Sequence, residues 1–138
     1  MRDAMRDVSV LLIEDNRDDE WSAKWTLKKI GLTNVTTARD VYEALLKLHG
    51  DDQRSIRKSC SPEIILLDLR LPKIDGLEVL RRIRDDERTR NTTVLILTSS
   101  EDPHDKDVCK KLGVTAIFPK PLTEEALVKL ELFSTESS

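Results

Sequence analysis

Asp68 ends a run of apolar residues and is the side chain in this sequence best placed to do chemistry. Four apolar residues, 64–67 (Ile-Ile-Leu-Leu), lead directly into it. A run this short, rich in β-branched residues and without alternation, predicts a strand that is covered on both faces. An acid at the end of a buried strand is costly unless that position needs it, and open α/β sheets place their chemistry at the carboxyl ends of strands. We therefore predict that Asp68 is a functional carboxylate.

Polar side chains also follow the other apolar runs at the point where each run ends. Because the carboxyl ends of parallel strands meet at one edge of a sheet, we expect these side chains to lie near Asp68. They are Glu14 and Asp15 after residues 8–13, Thr98 and Ser99 after residues 93–97, and Lys120 after residues 115–118.

The chemistry of this set is that of phosphoryl transfer to a carboxylate. Glu14, Asp15 and Asp68 would crowd together, which raises their energy when ionised, and Mg²⁺ with its preference for carboxylates and water relieves that crowding. An aspartate can act as the nucleophile, while a metal ion and the Lys120 ammonium offset charge on the transferring oxygens. The Thr98 hydroxyl can bond to the new phosphoryl oxygen.

The elements that must position these residues alternate strand and helix five times. Short connections and right-handed crossovers then give an α/β fold, a five-stranded parallel sheet with helices on both faces. Strands are predicted at 8–13, 35–38, 64–67, 93–97 and 115–118; helices are predicted from a cap at Asp18 or Asp19 to Ile30, over 41–48 from Asp40, over 77–84, from Asp102-Pro103 to Gly113, and from Thr123 over 124–133.

Composition limits the classes of function. The 138 residues predict one domain, 1–138, with a core of about 8–133, and apolar and charged fractions of 38% and 36% are typical of a soluble globular protein. A net charge of −3 argues against a nucleic-acid partner, and no apolar run is long enough to span a membrane. Because residues 1–7 also lack the apolar core of a secretory signal, we expect a cytoplasmic protein without a membrane partner.

The cysteines and histidines predict no metal or redox site. Cys60 and Cys109 are far apart and match no ligand spacing, so we expect free thiols in a reducing compartment. His49 and His104 are isolated, which argues against a histidine metal site.

Three further features have ordinary structural interpretations. Trp21 and Trp25 lie one helical turn apart and are predicted to occupy a buried or partly buried helix face. Residues 81–84 (Arg-Arg-Ile-Arg) predict a solvated helix face because acids follow them. The polar segment 50–62 predicts a surface connection.

Together the motifs resemble the receiver domain of two-component response regulators. The resemblance runs from residue 8 to about 133, and landmarks that are weak singly are specific in this order. It implies the flavodoxin-like, doubly wound strand order 2-1-3-4-5, in which the fifth strand is an edge that tolerates Pro119. The landmarks are Glu14-Asp15, Asp68-Leu69-Arg70-Leu71-Pro72, Asp75-Gly76, Thr98-Ser99 and Lys120-Pro121.

The resemblance implies a phosphoacceptor with a metal site. Asp68 resembles the residue that takes a phosphoryl group from a sensor histidine kinase. Asp15 resembles the principal Mg²⁺ ligand, Glu14 assists through water, and the backbone carbonyl of Arg70 resembles a third protein ligand beside Asp68. The Arg70 side chain could pair with Glu14 or with the phosphoryl group, and the sequence leaves both open.

It also implies a switch and a lysine that bonds the phosphoryl group. Thr98 resembles the switch hydroxyl, and Lys120 resembles the residue that bonds the phosphoryl oxygen, with a cis bond common before Pro121. The sequence departs from the family at Ile117, where an aromatic switch residue is common. Phe118 is adjacent, but strand alternation predicts that it points to the other face.

Output through protein contacts is implied as well. The face formed by the fourth helix, fifth strand and fifth helix is the expected surface, including a homodimer contact, and Leu127, Leu130 and Phe133 could serve it or, for the first two, the core. A finer resemblance is to single-domain receivers that partner phytochrome-type histidine kinases and often dimerise.

Two other functions fit the fold class less well. A phosphatase or phosphotransferase of the haloacid-dehalogenase type needs an acid two residues after its aspartyl nucleophile, where this chain has Arg70. An FMN-binding flavodoxin needs a Ser/Thr/Gly loop after the first strand, where Glu14 and Asp15 would repel a phosphate.

Overall fold

The computed structural model describes residues 8–40, 43, 44, 46, 47, 62–70, 75–99 and 101–130. Predictions for Cys60, Phe133, His49, Pro72 and most of the polar segment 50–62 lie outside the described residues. Within them, no helix combines the length and the apolar character that crossing a membrane would require.

Five strands form one parallel sheet in the order β2-β1-β3-β4-β5, which confirms the predicted topology. β3 lies at the centre, and β2 and β5 are the edge strands. The strands are β1 (Ser9–Ile13), β2 (Asn34–Ala38), β3 (Ile64–Asp68), β4 (Thr93–Thr98) and β5 (Ala116–Pro119).

The helices cover both faces of this sheet. They are α1 (Arg17–Lys29), α2 (helical at residues 43, 44, 46 and 47), α3 (Gly76–Asp85), α4 (Pro103–Lys111) and α5 (Glu124–Val128). α1 and α5 pack on one face, with Leu27 and Leu127 fully buried there. α3 and α4 pack on the other face, through residues such as Leu80 and Cys109. Cys109 is a free thiol, as predicted.

Strand alternation decides which side chains meet at the carboxyl edge. In β3, Ile65 and Leu67 join the core under α3 and α4, whereas Ile64 and Leu66 join the core under α1 and α5. Asp68 follows Leu66 by two residues, so its side chain points to the α1 side. The same period carries Glu14, two after Leu12, to that side; both Leu12 and Leu66 are buried there.

α1 begins two or three residues earlier than the sequence predicts. Its N-cap is Asn16, whose side chain accepts a hydrogen bond from the backbone N–H of Asp19, rather than Asp18 or Asp19. The acids in the first turn and the lysines in the last turn are as predicted and suit the helix dipole. Since Asn16 satisfies the helix end, the Asp19 carboxylate is available for other contacts.

The prediction for the two tryptophans is wrong. Trp21 and Trp25 are 68% and 48% exposed. α1 has a second apolar stripe, and that stripe, with Ala23 and Leu27, is the one that packs on the sheet. The helical period places residues 21 and 25 on nearly the opposite side of the helix.

A close backbone approach fixes the start of α3 against the end of β3. Gly76 donates its N–H to the Leu69 carbonyl at 3.0 Å. A Cβ atom at Gly76 would lie 2.5 Å from the Leu69 Cα and 2.7 Å from the Asp68 carbonyl oxygen. Asp75 caps the helix, which therefore starts at Gly76 and not at the predicted Leu77. The Asp-Gly pair thus holds the backbone beside Asp68.

The ends of the other elements differ from the predictions by a residue or two. β4 reaches Thr98, and β5 runs from Ala116 through Pro119, which the edge position permits. Asp102 and Thr123 cap α4 and α5 as predicted, and Gly113 follows α4 in the left-handed region at φ 75°. α5 is described to Val128, and its predicted extension to 133 reaches beyond the described residues.

Two surface predictions are refined. Arg81 and Arg82 are exposed and pair with Glu78, but Arg84 donates hydrogen bonds to four backbone carbonyls and so braces the end of α4 against the loop after α3. Leu127 is fully buried, and Leu130 packs against the core, so both serve the interior. The accepting carbonyls belong to Arg90, Thr92, Leu112 and Gly113.

Candidate functional site

Asp68 lies at the carboxyl end of the central strand and is only 2% exposed. Its Oδ1 accepts a hydrogen bond from the Arg70 backbone N–H at 2.9 Å, and its Oδ2 accepts one from the Lys120 ammonium at 2.9 Å. These contacts hold the carboxylate in one orientation at a buried position. Arg70 directs its backbone to Asp68, while its side chain is exposed.

Lys120 joins three carboxylates from three different elements. Its Nζ lies 2.7 Å from Asp19, 2.9 Å from Asp68 and 3.1 Å from Glu14. Burial alone would lower the pKa of this amine, but the hydrogen bonds with Asp19 and Asp68 outweigh burial and raise the pKa above its usual value. The ammonium therefore stays charged throughout the physiological range. The cis peptide bond between Lys120 and Pro121 is present, as the resemblance implies.

Glu14 is the carboxylate of this group whose surroundings clearly disfavour the charged form. It is fully buried, and its Oε2 accepts a hydrogen bond from the Asn16 backbone N–H at 3.2 Å. Its Oε1 lies 3.1 Å from the shared Lys120 ammonium but accepts no hydrogen bond from the described residues. Burial first, and then Asp68, raise the pKa of Glu14 to about 7. A buried carboxylate oxygen without a hydrogen-bond donor is costly, so a further cation would stabilise this atom.

Glu14, Asp15 and Asp68 fit a divalent hard cation. One oxygen from each of the three lies within 4.8 Å of the others. Asp15 is exposed whereas the other two are buried, which leaves one side of the cluster open to water. Mg²⁺ uses one or two carboxylates and keeps several waters, so both the donor atoms and the open side suit it. The Oε1 of Glu14, which accepts no hydrogen bond from the part of the chain that the structure describes, points to the same conclusion.

The structure brings together most of the predicted site residues and adds one. Glu14, Asp15, Asp68 and Lys120 converge as expected. Thr98 is 3% exposed at the end of β4, one residue beyond Leu97, which pairs with Asp68. The Thr98 carbonyl accepts the Lys120 backbone N–H at 3.2 Å.

Asp19 is the site residue that sequence reasoning missed. Its carboxylate makes the shortest contact of Lys120, at 2.7 Å. Asp19 is four residues after Asp15 and lies in the first turn of α1, whereas Asp15 lies just before the helix. Residues with this spacing are close in space at a helix start, and the spacing is the signal that could have found Asp19. The sequence also allows Asp19 to be the N-cap of α1. The structure excludes that role because Asn16 is the N-cap.

Comparisons with known proteins agree with this site. The family model described as the response regulator receiver domain matches residues 10–130. A curated relative, the probable methanogenesis regulatory protein FilR2 of Methanothrix harundinacea, is 37% identical over 121 residues, which cover 86% of this chain and 75% of the relative.

Solved structures show the same likeness. The bacteriophytochrome response regulator AtBRR is 38% identical with a TM-score of 0.76, and the match covers 88% of each chain. The Mn²⁺-bound form of the response regulator Rcp1 is 30% identical with a TM-score of 0.72, covering 88% of this chain and 87% of that one. Both likenesses extend over most of the sheet and its helices.

Proposed function

Because the chain belongs to the receiver domain family of two-component response regulators, we propose that it accepts a phosphoryl group on Asp68 from a sensor histidine kinase. Phosphorylation would then change its binding to other proteins. The observation that carries this proposal is the contact at 2.9 Å between Lys120 and a buried Asp68 carboxylate beside two more acids. On this proposal the protein is a signalling protein and acts as a catalyst at most on its own phosphorylation and dephosphorylation.

The proposed step uses the chain's own residues as follows. A carboxylate oxygen of Asp68 forms a bond to phosphorus, and the bond from phosphorus to the donor nitrogen or oxygen breaks, so that the donor leaves with that electron pair. Lys120 lies where its ammonium can bond to a phosphoryl oxygen on Asp68, and we assign the Thr98 hydroxyl to a second phosphoryl oxygen as the switch contact.

A metal ion belongs in this proposal as well. Asp15, Asp68, the Arg70 backbone carbonyl and, through water, Glu14 would hold Mg²⁺, which would supply positive charge beside the transferring oxygens. The donor set supports this assignment, and so does the Oε1 of Glu14, for which no hydrogen-bond donor is found among the described residues. The response regulator Rcp1, a relative of the same fold, has a crystal structure in a Mn²⁺-bound form, which is consistent with a divalent cation here.

The partner is proposed to be a phytochrome-type histidine kinase, in the cytoplasm. The likeness to AtBRR, whose name states a bacteriophytochrome response regulator, supports this class of kinase.

We also propose that the chain, as a single domain of residues 1–138, forms a homodimer through α4, β5 and α5. A groove of about 620 Å³ between α4 and β5, lined by Lys106, Lys110 and Ile117 among others, supports this surface.

Intact-mass spectrometry with a small acyl phosphate tests the proposed function. We expect one added phosphoryl group in the presence of Mg²⁺, and none after chelation or in Asp68→Asn. Asp107→Asn is the matched control because Asp107 is exposed and pairs only at the surface, with Lys111 at 3.6 Å. Undiminished phosphorylation of Asp68→Asn would refute the assignment of the acceptor.

A further inference from the structure

Two exposed tryptophans on α1 have no part in the phosphoryl site. Trp21 and Trp25, the only tryptophans in the sequence, are 68% and 48% exposed. Their rings are nearly parallel, at 4°, with centroids 5.9 Å apart. Large exposed aromatic side chains are unfavourable in water, and tryptophan is enriched among residues that dominate protein interfaces. The stacked pair therefore forms a continuous exposed apolar surface on α1.

These rings line a groove between α1 and the edge strand β2. The groove has a volume of about 640 Å³, and Leu32 and Val35 form part of its apolar lining. A concave surface of this size fits a short peptide segment better than it fits the flat surface of a folded partner. β2 is an edge strand of the sheet, so one side of it is not paired with another strand of this sheet.

The rim of the groove is cationic although the whole chain is acidic. Among the described residues, four cationic side chains and one carboxylate, that of Glu20, line it, whereas the net charge of the chain is −3. Glu20 lies 3.9 Å from the Arg39 guanidinium, and the Lys28 ammonium lies 6.0 Å from the Trp25 ring centroid. The cations are Arg17, Lys24, Lys28 and Arg39. Basic groups around an apolar centre attract a ligand that is itself acidic around an apolar group.

We infer that this groove binds an acidic segment of a partner protein, with an apolar side chain against Trp21 and Trp25 and carboxylates against the rim. A symmetric contact between two copies would bring cationic rims together, which charge repulsion opposes. A nucleic acid would meet few cations on a chain of net negative charge, and a membrane surface would not enter a concave groove. The inference concerns a different face from the Asp68 site and does not rest on phosphorylation.

Selection from a phage-displayed library of random peptides tests the inference on the intact chain. We expect the selected peptides to carry aspartate or glutamate on both sides of a large apolar residue. Titration of the wild type with a selected synthetic peptide should shift and saturate its tryptophan emission, since both tryptophans lie in the groove. Recovery of no binders, or of binders without carboxylates, would overturn the inference, as would binding only to anionic vesicles or to oligonucleotides.

Two variants locate the binding surface. The charge reversal Lys24→Glu with Lys28→Glu should weaken binding of the peptide at least tenfold, and Trp21→Lys should do so while Trp25 still reports. Arg81→Glu with Arg82→Glu is the matched control, a pair of exposed arginines on α3. All these positions are exposed, so the variants should fold, and acyl phosphate should still phosphorylate them. Equal affinity of the wild type and the α1 variants would contradict the inference.

Discussion

Glu14 is a buried carboxylate whose position suits a bound cation and is energetically unfavourable without one. It is fully buried, one of its oxygens accepts no hydrogen bond from the described residues, and its Lys120 partner is shared with Asp19 and Asp68. Burial raises the pKa of Glu14 to about 7, so the carboxyl is partly protonated near neutrality in the absence of a cation. A metal ion that needs the carboxylate must therefore displace a proton.

This coupling predicts that Mg²⁺ binds more weakly at low pH. Below pH 7 the raised pKa keeps Glu14 protonated, and the apparent affinity should fall about tenfold from pH 8 to pH 6. Calorimetric titration with Mg²⁺ at the two pH values measures this change. Glu14→Gln should show weaker binding with a much smaller dependence on pH. Equal affinities of the wild type at both pH values would contradict the role given to burial.

At the scale of elements, the close packing of α3 against β3 supports the site through its backbone. The backbone at Leu69 is held because Gly76 approaches it more closely than any side chain would allow. This contact joins the second residue of the Asp-Gly pair to the strand that carries the acceptor. The Asp75-Gly76 turn motif, which can be recognised in the sequence, therefore helps to fix the backbone that carries Asp68.

Gly76→Ala should therefore be costly in stability and in phosphorylation. The added Cβ would meet backbone atoms of Asp68 and Leu69 at 2.5–2.8 Å, and backbone cannot rotate away as a side chain can. We expect a loss of about 2 kcal/mol or more in the free energy of unfolding, measured with urea, and slower phosphorylation by acyl phosphate. Gly113→Ala is the comparison: nothing lies within 4 Å of its Cβ, and only its φ of 75° is strained, so about 1 kcal/mol is expected without a change in phosphorylation rate. A smaller loss at Gly76 than at Gly113 would contradict the packing argument.

The elements also show where the sequence was sufficient and where it was not. Short apolar runs that end in polar residues predicted β1, β3, β4 and β5 and their common edge, and β1, β3 and β4 are the strands whose residues are almost all buried. The edge strand β2 carries no such run and is only partly buried. α1 was harder, since it carries two apolar stripes and hydrophobicity alone does not say which one packs. The exposure of Trp21 and the contact of Asp19 with Lys120 both depend on the rotation of this helix, which tertiary packing fixes.

At the scale of the whole molecule, Lys120 ties together elements that are distant in sequence. Its ammonium contacts Glu14 after β1, Asp19 on α1 and Asp68 on β3, from its own position after β5. Without it, carboxylates from three parts of the chain would face one another with no ion pair to a described lysine or arginine. These ion pairs therefore contribute to the stability of the fold as well as to the proposed phosphoryl transfer.

Lys120→Met should destabilise the protein in the absence of Mg²⁺ and increase its response to Mg²⁺. Removing one partner of a buried ion pair costs about 3 kcal/mol, because the acids that remain repel one another and are poorly solvated. A cation bound only by the folded state restores stability in proportion to the logarithm of its concentration over its Kd, and the variant's site is more anionic. Thermal unfolding with and without Mg²⁺ should therefore show a lower Tm and a larger rise with Mg²⁺ than in the wild type.

The exposed lysine Lys111 provides the control for this measurement. Its ammonium pairs with Asp107 at 3.6 Å at the surface, where an ion pair contributes little to stability. Lys111→Met should leave both the Tm and the Mg²⁺ response close to those of the wild type. If Lys120→Met gave the same rise in Tm with Mg²⁺ as Lys111→Met, the ammonium and the cation would not share the same carboxylates. The charge balance proposed for this edge of the sheet would then be wrong.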